Sequence, residues 1–193
     1  MKIKVKHDQL KKVIQGCVGG KRSAQKKLFD HFYGKMLGVC MRYTRDKDSA
    51  QEVCQEAFIK VFDKLSEFDF KGSFEGWLRR IMVNASIDAI RKKQRMATST
   101  DEDFLLETNS LYEEENTVDP DLTKLKAKYA LEAVQALSPA YRTVFNLYVI
   151  ENYSHKEIAD ILGISEGASK SNLAKAKQNL RKMLIDKFIH LDD

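Results

Sequence analysis

Apolar residues recur along this chain at helical spacing, and the most regular run is Ala50, Val53, Cys54, Ala57, Phe58, Val61, Phe62 and Leu65. That i, i+3, i+4, i+7 pattern predicts a helix with one buried side. Its other side carries Gln51, Glu52, Gln55, Glu56 and Lys60. Upstream, residues 7–16 suggest a short helix ending at Gly16, with Gly19-Gly20 as a turn. From Ser23 a second stripe runs through Ala24, Leu28, Phe32, Met36, Val39, Cys40 and Tyr43. Between Ser66 and Gly76 the pattern breaks into an aromatic-rich loop holding Phe68, Phe70 and Phe74. A helix over about 74–95 then buries Trp77, Leu78, Ile81, Met82 and Ala85. Arg80, Asn84, Asp88, Arg91 and Arg95 on it recur every three or four residues, so they line one polar face.

Periodicity stops at Met96 and resumes near Leu122. The intervening stretch is rich in Ser, Thr, Asn, Asp and Glu and reads as a linker. A helix follows from Leu122 to Leu137, and Ser138-Pro139 opens another through Ile150, with Tyr141, Val144, Phe145 and Tyr148 inward. The last stretch carries the densest local signals. Ser154 and Glu157 form a capping box, and Ile158, Ile161 and Leu162 make one apolar side. Ala159 is small enough for a second helix to cross closely, and Gly163 can end the first helix in the left-handed conformation. Ser165 caps the next helix, with Glu166 placed well against its dipole. Leu173, Leu180 and Leu184 mark the back of that helix, while Lys170, Ser171, Ala174, Lys175, Lys177 and Arg181 fall largely elsewhere. An apolar back with a basic, short-side-chain front is what a DNA major groove accepts, so the pair is read as a helix-turn-helix. With strand alternation absent, the fold class is all-α. Two small helical domains, residues 1–95 and 124–193, are joined by a flexible acidic linker, residues 96–123.

Charge sharpens this division. Residues 1–95 hold 22 Lys+Arg against 11 Asp+Glu, residues 96–123 hold none against 9, and residues 124–193 hold 11 against 8. Two basic blocks flank an acidic strip, which suits a polyanionic partner. Cys17, Cys40 and Cys54 are odd in number and widely spaced, and His7, His31, His155 and His190 are scattered. Neither a disulfide framework nor a metal site is expected, and no cofactor is implied. No apolar run reaches membrane-spanning length, and the opening Met1-Lys-Ile-Lys-Val-Lys lacks a signal-peptide core, so a cytoplasmic protein with no membrane insertion is expected. Ser23, Ser49 and Ser73 sit singly at turns or caps, which argues against an enzyme.

Four motifs in order resemble one family over nearly the whole chain. They are Ala50-Gln-Glu-Val-Cys-Gln-Glu-Ala-Phe-Ile-Lys60, Phe74-Glu-Gly-Trp-Leu-Arg-Arg-Ile-Met-Val-Asn-Ala-Ser-Ile-Asp-Ala-Ile-Arg91, Leu137-Ser-Pro-Ala-Tyr-Arg142 and the helix-turn-helix. Together they resemble the bacterial RNA polymerase sigma factors of the extracytoplasmic-function (ECF) group. The resemblance implies a first domain of sigma region 2 and a second of region 4. It implies that Gln51, Glu52, Gln55 and Glu56 dock on the β′ clamp of core RNA polymerase, with the β subunit also in contact. Phe68, Phe70, Phe74, Trp77, Asn84 and Asp88 would recognise a melting −10 element by stacking and base-edge contacts. Arg79, Arg80, Arg91 and Lys92 would hold phosphates and so fix register. Lys170, Ser171, Ala174, Lys175 and Lys177 would lie at the −35 element of promoter DNA. The acidic linker would thread the polymerase channel later used by RNA, and an anti-sigma factor is a further implied partner. Two positions depart from the family: Asn172 replaces a frequent arginine, which puts one phosphate contact in question, and Ser169 replaces a usually apolar residue, which puts the helix packing there in question.

Three other readings compete with this one. A dimeric helix-turn-helix regulator acting without polymerase explains the C-terminal half but not the aromatic loop and first basic domain. A DNA recombinase needs a nucleophile domain that the first half does not provide. An interaction scaffold leaves the charge segregation unexplained.

Overall fold

The computed structural model of the chain describes residues 7–97 and 122–188, and every regular element among them is helical. Residues 98–121 of the acidic linker, and His190, lie outside the described residues; the ends assigned to the linker, 96–97 and 122–123, are helical. The chain divides into two compact units, Met1–Ala89 and Ile90–Asp193.

In the first unit, α1 (His7–Val18) packs on α2 (Arg22–Met41), and α2 packs on α3 (Lys47–Lys64). Helix α3 begins where Asp46 accepts a hydrogen bond from the Ser49 amide at 2.7 Å. Its predicted stripe is the buried one, with Ala50, Val53, Cys54, Ala57, Phe58 and Val61 inside. A single 3₁₀ turn, Leu65–Glu67, leads to the aromatic loop, and α4 (Phe74–Ala97) follows. All three cysteines are free and buried. Burial pushes the Cys17 thiol up, and a hydrogen bond with Cys40, reinforced by burial, does the same to Cys54.

The first helix departs from the expected boundary, running two residues past Gly16 to Val18. Gly16 does not end it; Gly20, at φ 73°, makes the turn, and the Lys21 amide donates back to the Gly16 carbonyl at 3.0 Å. Gly16 has a long-range role instead. A Cβ built there would lie 2.9 Å from the Ala24 Cβ of α2, so its missing side chain is what lets the two helices cross.

The second unit contains α5 (Leu122–Ala136), α6 (Pro139–Phe145), α7 (His155–Leu162) and α8 (Glu166–Phe188). Helices α5, α6 and α7 all pack on α8. Ala133, Leu137, Ala176 and Leu180 form a buried cluster, with Val134, Tyr141, Phe145, Met183 and Leu184 partly buried against it. The α6 segment was expected to continue as one α-helix to Ile150, but Asn146–Ile150 is a π turn, closed by the Glu151 amide donating to the Asn146 carbonyl at 3.0 Å. The extra residue in that turn changes the helical register, and Tyr148, expected inward, is exposed along with Val149.

Candidate nucleic-acid and polymerase interfaces

The helix-turn-helix is built by local chemistry. The Ser154 amide donates to the Glu157 carboxylate at 2.8 Å, while the Glu157 amide donates to the Ser154 hydroxyl at 3.2 Å, closing the capping box. Gly163 ends α7 at φ 66° and ψ 37°, a left-handed conformation that suits glycine. The Ala168 amide donates to the Ser165 hydroxyl at 3.0 Å and starts α8. Ile158 and Ala159 are buried where the helices cross, and Leu173, Ala176 and Leu180 form the back of α8.

Hydrogen bonds from the Ser154 hydroxyl, then the Ser154 amide, hold the Glu157 carboxyl below the usual carboxylate range. A depressed folded-state pKa means that the cap is at full strength above the unfolded pKa and is lost as pH falls through the folded one. An NMR titration of the Glu157 side chain should place its midpoint below that of a free glutamate. Ser154→Ala, which keeps the amide but removes the hydroxyl, should raise it toward the ordinary range and cost ~0.5–2 kcal/mol of stability.

Lys170, Ser171, Ala174, Lys175 and Lys177 lie on α8, and all five are exposed. Lys170 lies 3.9 Å from Glu166 across one helical turn, a surface pair of little energetic weight. Ser169, by contrast, is fully buried, and its hydroxyl lies 2.9 Å from Nδ1 of His155 on α7. A polar tie between the two helices therefore stands at the position where the family usually has an apolar residue. Sequence reasoning counted His155 only among scattered histidines; it sits at the first residue of α7, opposite the first turns of α8, a juxtaposition that only the crossing of the two helices reveals.

In the first unit the aromatic residues gather around Phe68. Its ring centroid lies 5.0 Å from Phe70, 5.1 Å from Phe74 and 5.5 Å from Trp77. The structure narrows their expected role, because Phe68 and Phe74 are only 8% and 4% exposed and present no free face. They brace the loop, and Phe70 and Trp77, both half-buried, are the rings that reach its surface. Phe70 adopts φ 61°, a left-handed conformation unusual for an aromatic residue, with the Lys11 ammonium 5.5 Å from its ring centroid.

Along α4, Arg80, Asn84 and Asp88 are exposed and Arg79 is half-buried. Asp88 is 3.5 Å from Lys60 of α3, so the polar stripe of α4 adjoins the outer face of α3. Arg91 and Lys92 continue that helix toward its C-terminus. On the α3 face Glu52, Gln55 and Glu56 are exposed and Gln51 is half-buried. The sequence reading omitted Ile59, which is 63% exposed among them. Its helical register, two residues before the buried Val61, carries that signal. Among the described residues no cluster of His, Cys, Asp and Glu could hold a metal ion, and no helix is long and apolar enough to cross a membrane.

Sigma-70 region 2 matches residues 28–96, and Sigma-70 region 4 matches residues 127–180. The ECF RNA polymerase sigma factor SigW of Bacillus subtilis is 30% identical, over 92% of this chain and 97% of that protein. The RNA polymerase sigma-H factor of Pseudomonas aeruginosa is 26% identical over 92% of this chain and 94% of its own length. Among solved structures, the sigma factor RpoE of Bartonella quintana, in complex with the anti-sigma factor NepR, is similar in fold. Its TM-score is 0.52 at 20% identity, covering 82% of this chain and 95% of that one.

Proposed function

Since this chain is an ECF sigma factor of the sigma-70 family, we propose that its two units divide promoter-directed initiation between polymerase docking with −10 recognition and −35 recognition. The observation that carries this division is the contrast between two exposed faces. The α3 face is acidic around the apolar Ile59, and α8 presents lysines from a capped helix-turn-helix. The first face complements a basic protein surface with an apolar centre, and the β′ clamp of core RNA polymerase is the partner assigned to Gln51, Glu52, Gln55, Glu56 and Ile59. The second complements duplex DNA. The functional divisions are taken as residues 1–95, 96–123 and 124–193, with the acidic linker following the path that RNA later occupies. The protein acts in the cytoplasm without catalysing a reaction of its own. The two sigma regions in order support this reading over the dimeric regulator.

Alanine at both Gln55 and Glu56 should weaken binding to core polymerase about tenfold or more, measured by titrating labelled protein into core enzyme, since central interface residues carry most of the affinity. Unchanged affinity would remove that face from the interface. Lys170→Ala with Lys175→Ala should spare core binding but weaken promoter binding and lower its salt slope by about 2, roughly one for each phosphate no longer neutralised. Normal run-off transcription from the cognate promoter across a salt series would refute the assignment of α8.

In the first unit, Phe70 is assigned the base-stacking role, with Trp77 beside it, Asn84 and Asp88 at base edges, and Arg79, Arg80, Arg91 and Lys92 at phosphates. Phe70→Gly tests this with opposed effects. Glycine accepts the positive φ freely, relieving strain of ~1–3 kcal/mol and offsetting the missing ring packing, so the melting temperature should change little. Removing the stacking platform should lower open-complex formation by about tenfold, since such stacking contributes ~1–3 kcal/mol. Permanganate footprinting of the melted −10 region reads this out, and wild-type reactivity would exclude Phe70 from base capture. A protein that covers the α3 face or the α8 lysines would act as an anti-sigma factor.

A further inference from the structure

Ser169 presents a hydroxyl on the buried side of α8, which also holds Leu173, where α7 with its buried Ile158 and Ala159 packs on it. A buried hydroxyl is stable only with a partner, and His155 Nδ1 supplies one at 2.9 Å. The chain of neighbours extends beyond this pair. The His155 ring stacks on Tyr148 of the π turn, with centroids 4.5 Å apart and planes at 24°. The Lys177 ammonium in turn lies 5.9 Å from the Tyr148 centroid. A line of interactions thus leaves α8 at Ser169, crosses α7 and the π turn, and returns to α8 at Lys177. The two attachment points are eight residues apart, about 12 Å along the axis at 1.5 Å per residue.

That arrangement controls something that apolar packing controls poorly. A small apolar side chain such as Ala159 lets one helix roll against another with little change in buried area. A hydrogen bond is directional and weakens steeply as its angle departs from linear. Roll matters for a base-reading helix, because adjacent residues point about 100° apart and a modest rotation exchanges which side chains face the groove. We infer that His155 is a positioning residue for −35 readout. Through Ser169 it sets the roll of α8, and through Tyr148 it anchors that setting to the π turn, so that Lys170, Ser171 and Ala174 face the bases together. The inference rests on the assignment of α8 as the reading helix.

The test uses full-length protein assembled with core polymerase, transcribing from the cognate promoter and from a panel of single −35 substitutions. Discrimination is the ratio of transcription from the cognate −35 to that from the substituted ones. His155→Asn keeps a polar atom where Nδ1 stands, His155→Gln moves it to where Nε2 stands, and His155→Phe keeps a ring for the Tyr148 stack without any polar atom. His155→Phe and His155→Gln should lose discrimination by on the order of tenfold, the differential effect of one buried hydrogen bond. His155→Asn should retain it to within about threefold. Ser169→Ala, a minimal change in volume, should reproduce the Phe variant, and adding it to His155→Phe should cost nothing further, as expected when two residues share one interaction. Wild-type discrimination in His155→Phe, or an Asn variant no better than Gln, would overturn the inference. So would a uniform fall in transcription with the ratios unchanged, which marks a purely structural residue. Lys170→Ala with Lys175→Ala in the same assay separates the two levels: no effect there sinks the reading of α8 itself. A loss there beside an indifferent His155→Phe sinks only the positioning role.

Discussion

Arg142→Ala should abolish −35-dependent transcription by unfolding the C-terminal unit, at a cost of about 3–5 kcal/mol, the range for breaking a buried polar arrangement by removing one partner. Arg142 is 2% exposed, the largest of the fully buried side chains among the described residues, and it reaches back to donate from Nη2 to the Leu137 carbonyl at 3.0 Å. That carbonyl belongs to the residue just after α5, where helix-end acceptors lack intrahelical partners. Ser138, whose hydroxyl accepts from the Tyr141 amide, starts α6 immediately afterwards. The guanidinium therefore satisfies the exit of one helix from inside the next. Truncation leaves a cavity, worth ~2–5 kcal/mol for side chains of comparable size, and a buried carbonyl without its donor, worth ~1–3 kcal/mol. Partial collapse of the site keeps the total below the simple sum. Arg142→Met fills most of the volume and should cost distinctly less. Thermal melts followed by far-UV circular dichroism test the order wild type, Met, Ala. Equal melting temperatures for wild type and the Ala variant would refute this structural role.

Phe58→Ala should have a comparable effect on the first unit, about 3–5 kcal/mol, the range for a fully buried phenylalanine. Its centroid lies 4.8 Å from Phe29, 6.4 Å from Tyr33 and 6.3 Å from Phe62, so one ring joins α2 to α3. Ile59, its sequence neighbour, points to the solvent side of the same turn. Loss of the ring should therefore loosen the proposed docking face from behind and weaken core-polymerase binding without altering any residue on that face. Denaturant titration and core binding check the two effects. An unfolding midpoint within error of wild type would show that Phe58 does not anchor this core.

What the sequence revealed and what it concealed divide along the range of the interactions. The helix-turn-helix was legible in detail because its determinants are local: Ser154 and Glu157 are three residues apart, and Gly163 governs its own backbone. The buried stripe of α3 was equally plain, since burial imposes a helical period on the apolar positions. Gly16 misled because its purpose is an encounter with Ala24 on another helix, which has no local signature. Asn146–Ile150 misled because a π turn inserts one residue without leaving a gap in the apolar pattern. Arg142 and Ser169 belong to a third kind: polar residues at core positions whose partners, a carbonyl and an imidazole, become visible only after folding. In the aromatic loop, composition announced a cluster of rings, but which rings are sealed inside depends on how the loop folds back on α4.

The crossing at Gly16 also bears on how this protein can change over time. With only 2.9 Å between a Cβ at position 16 and that of Ala24, position 16 cannot drift alone toward a larger residue. A lineage that enlarges it must already hold, or acquire together, a glycine at position 24. The two codons are thereby coupled, although 8 positions separate them. Viable descendants are confined to a narrow ridge of small-residue pairs, along which α1 can stay seated while the surrounding surface diversifies freely.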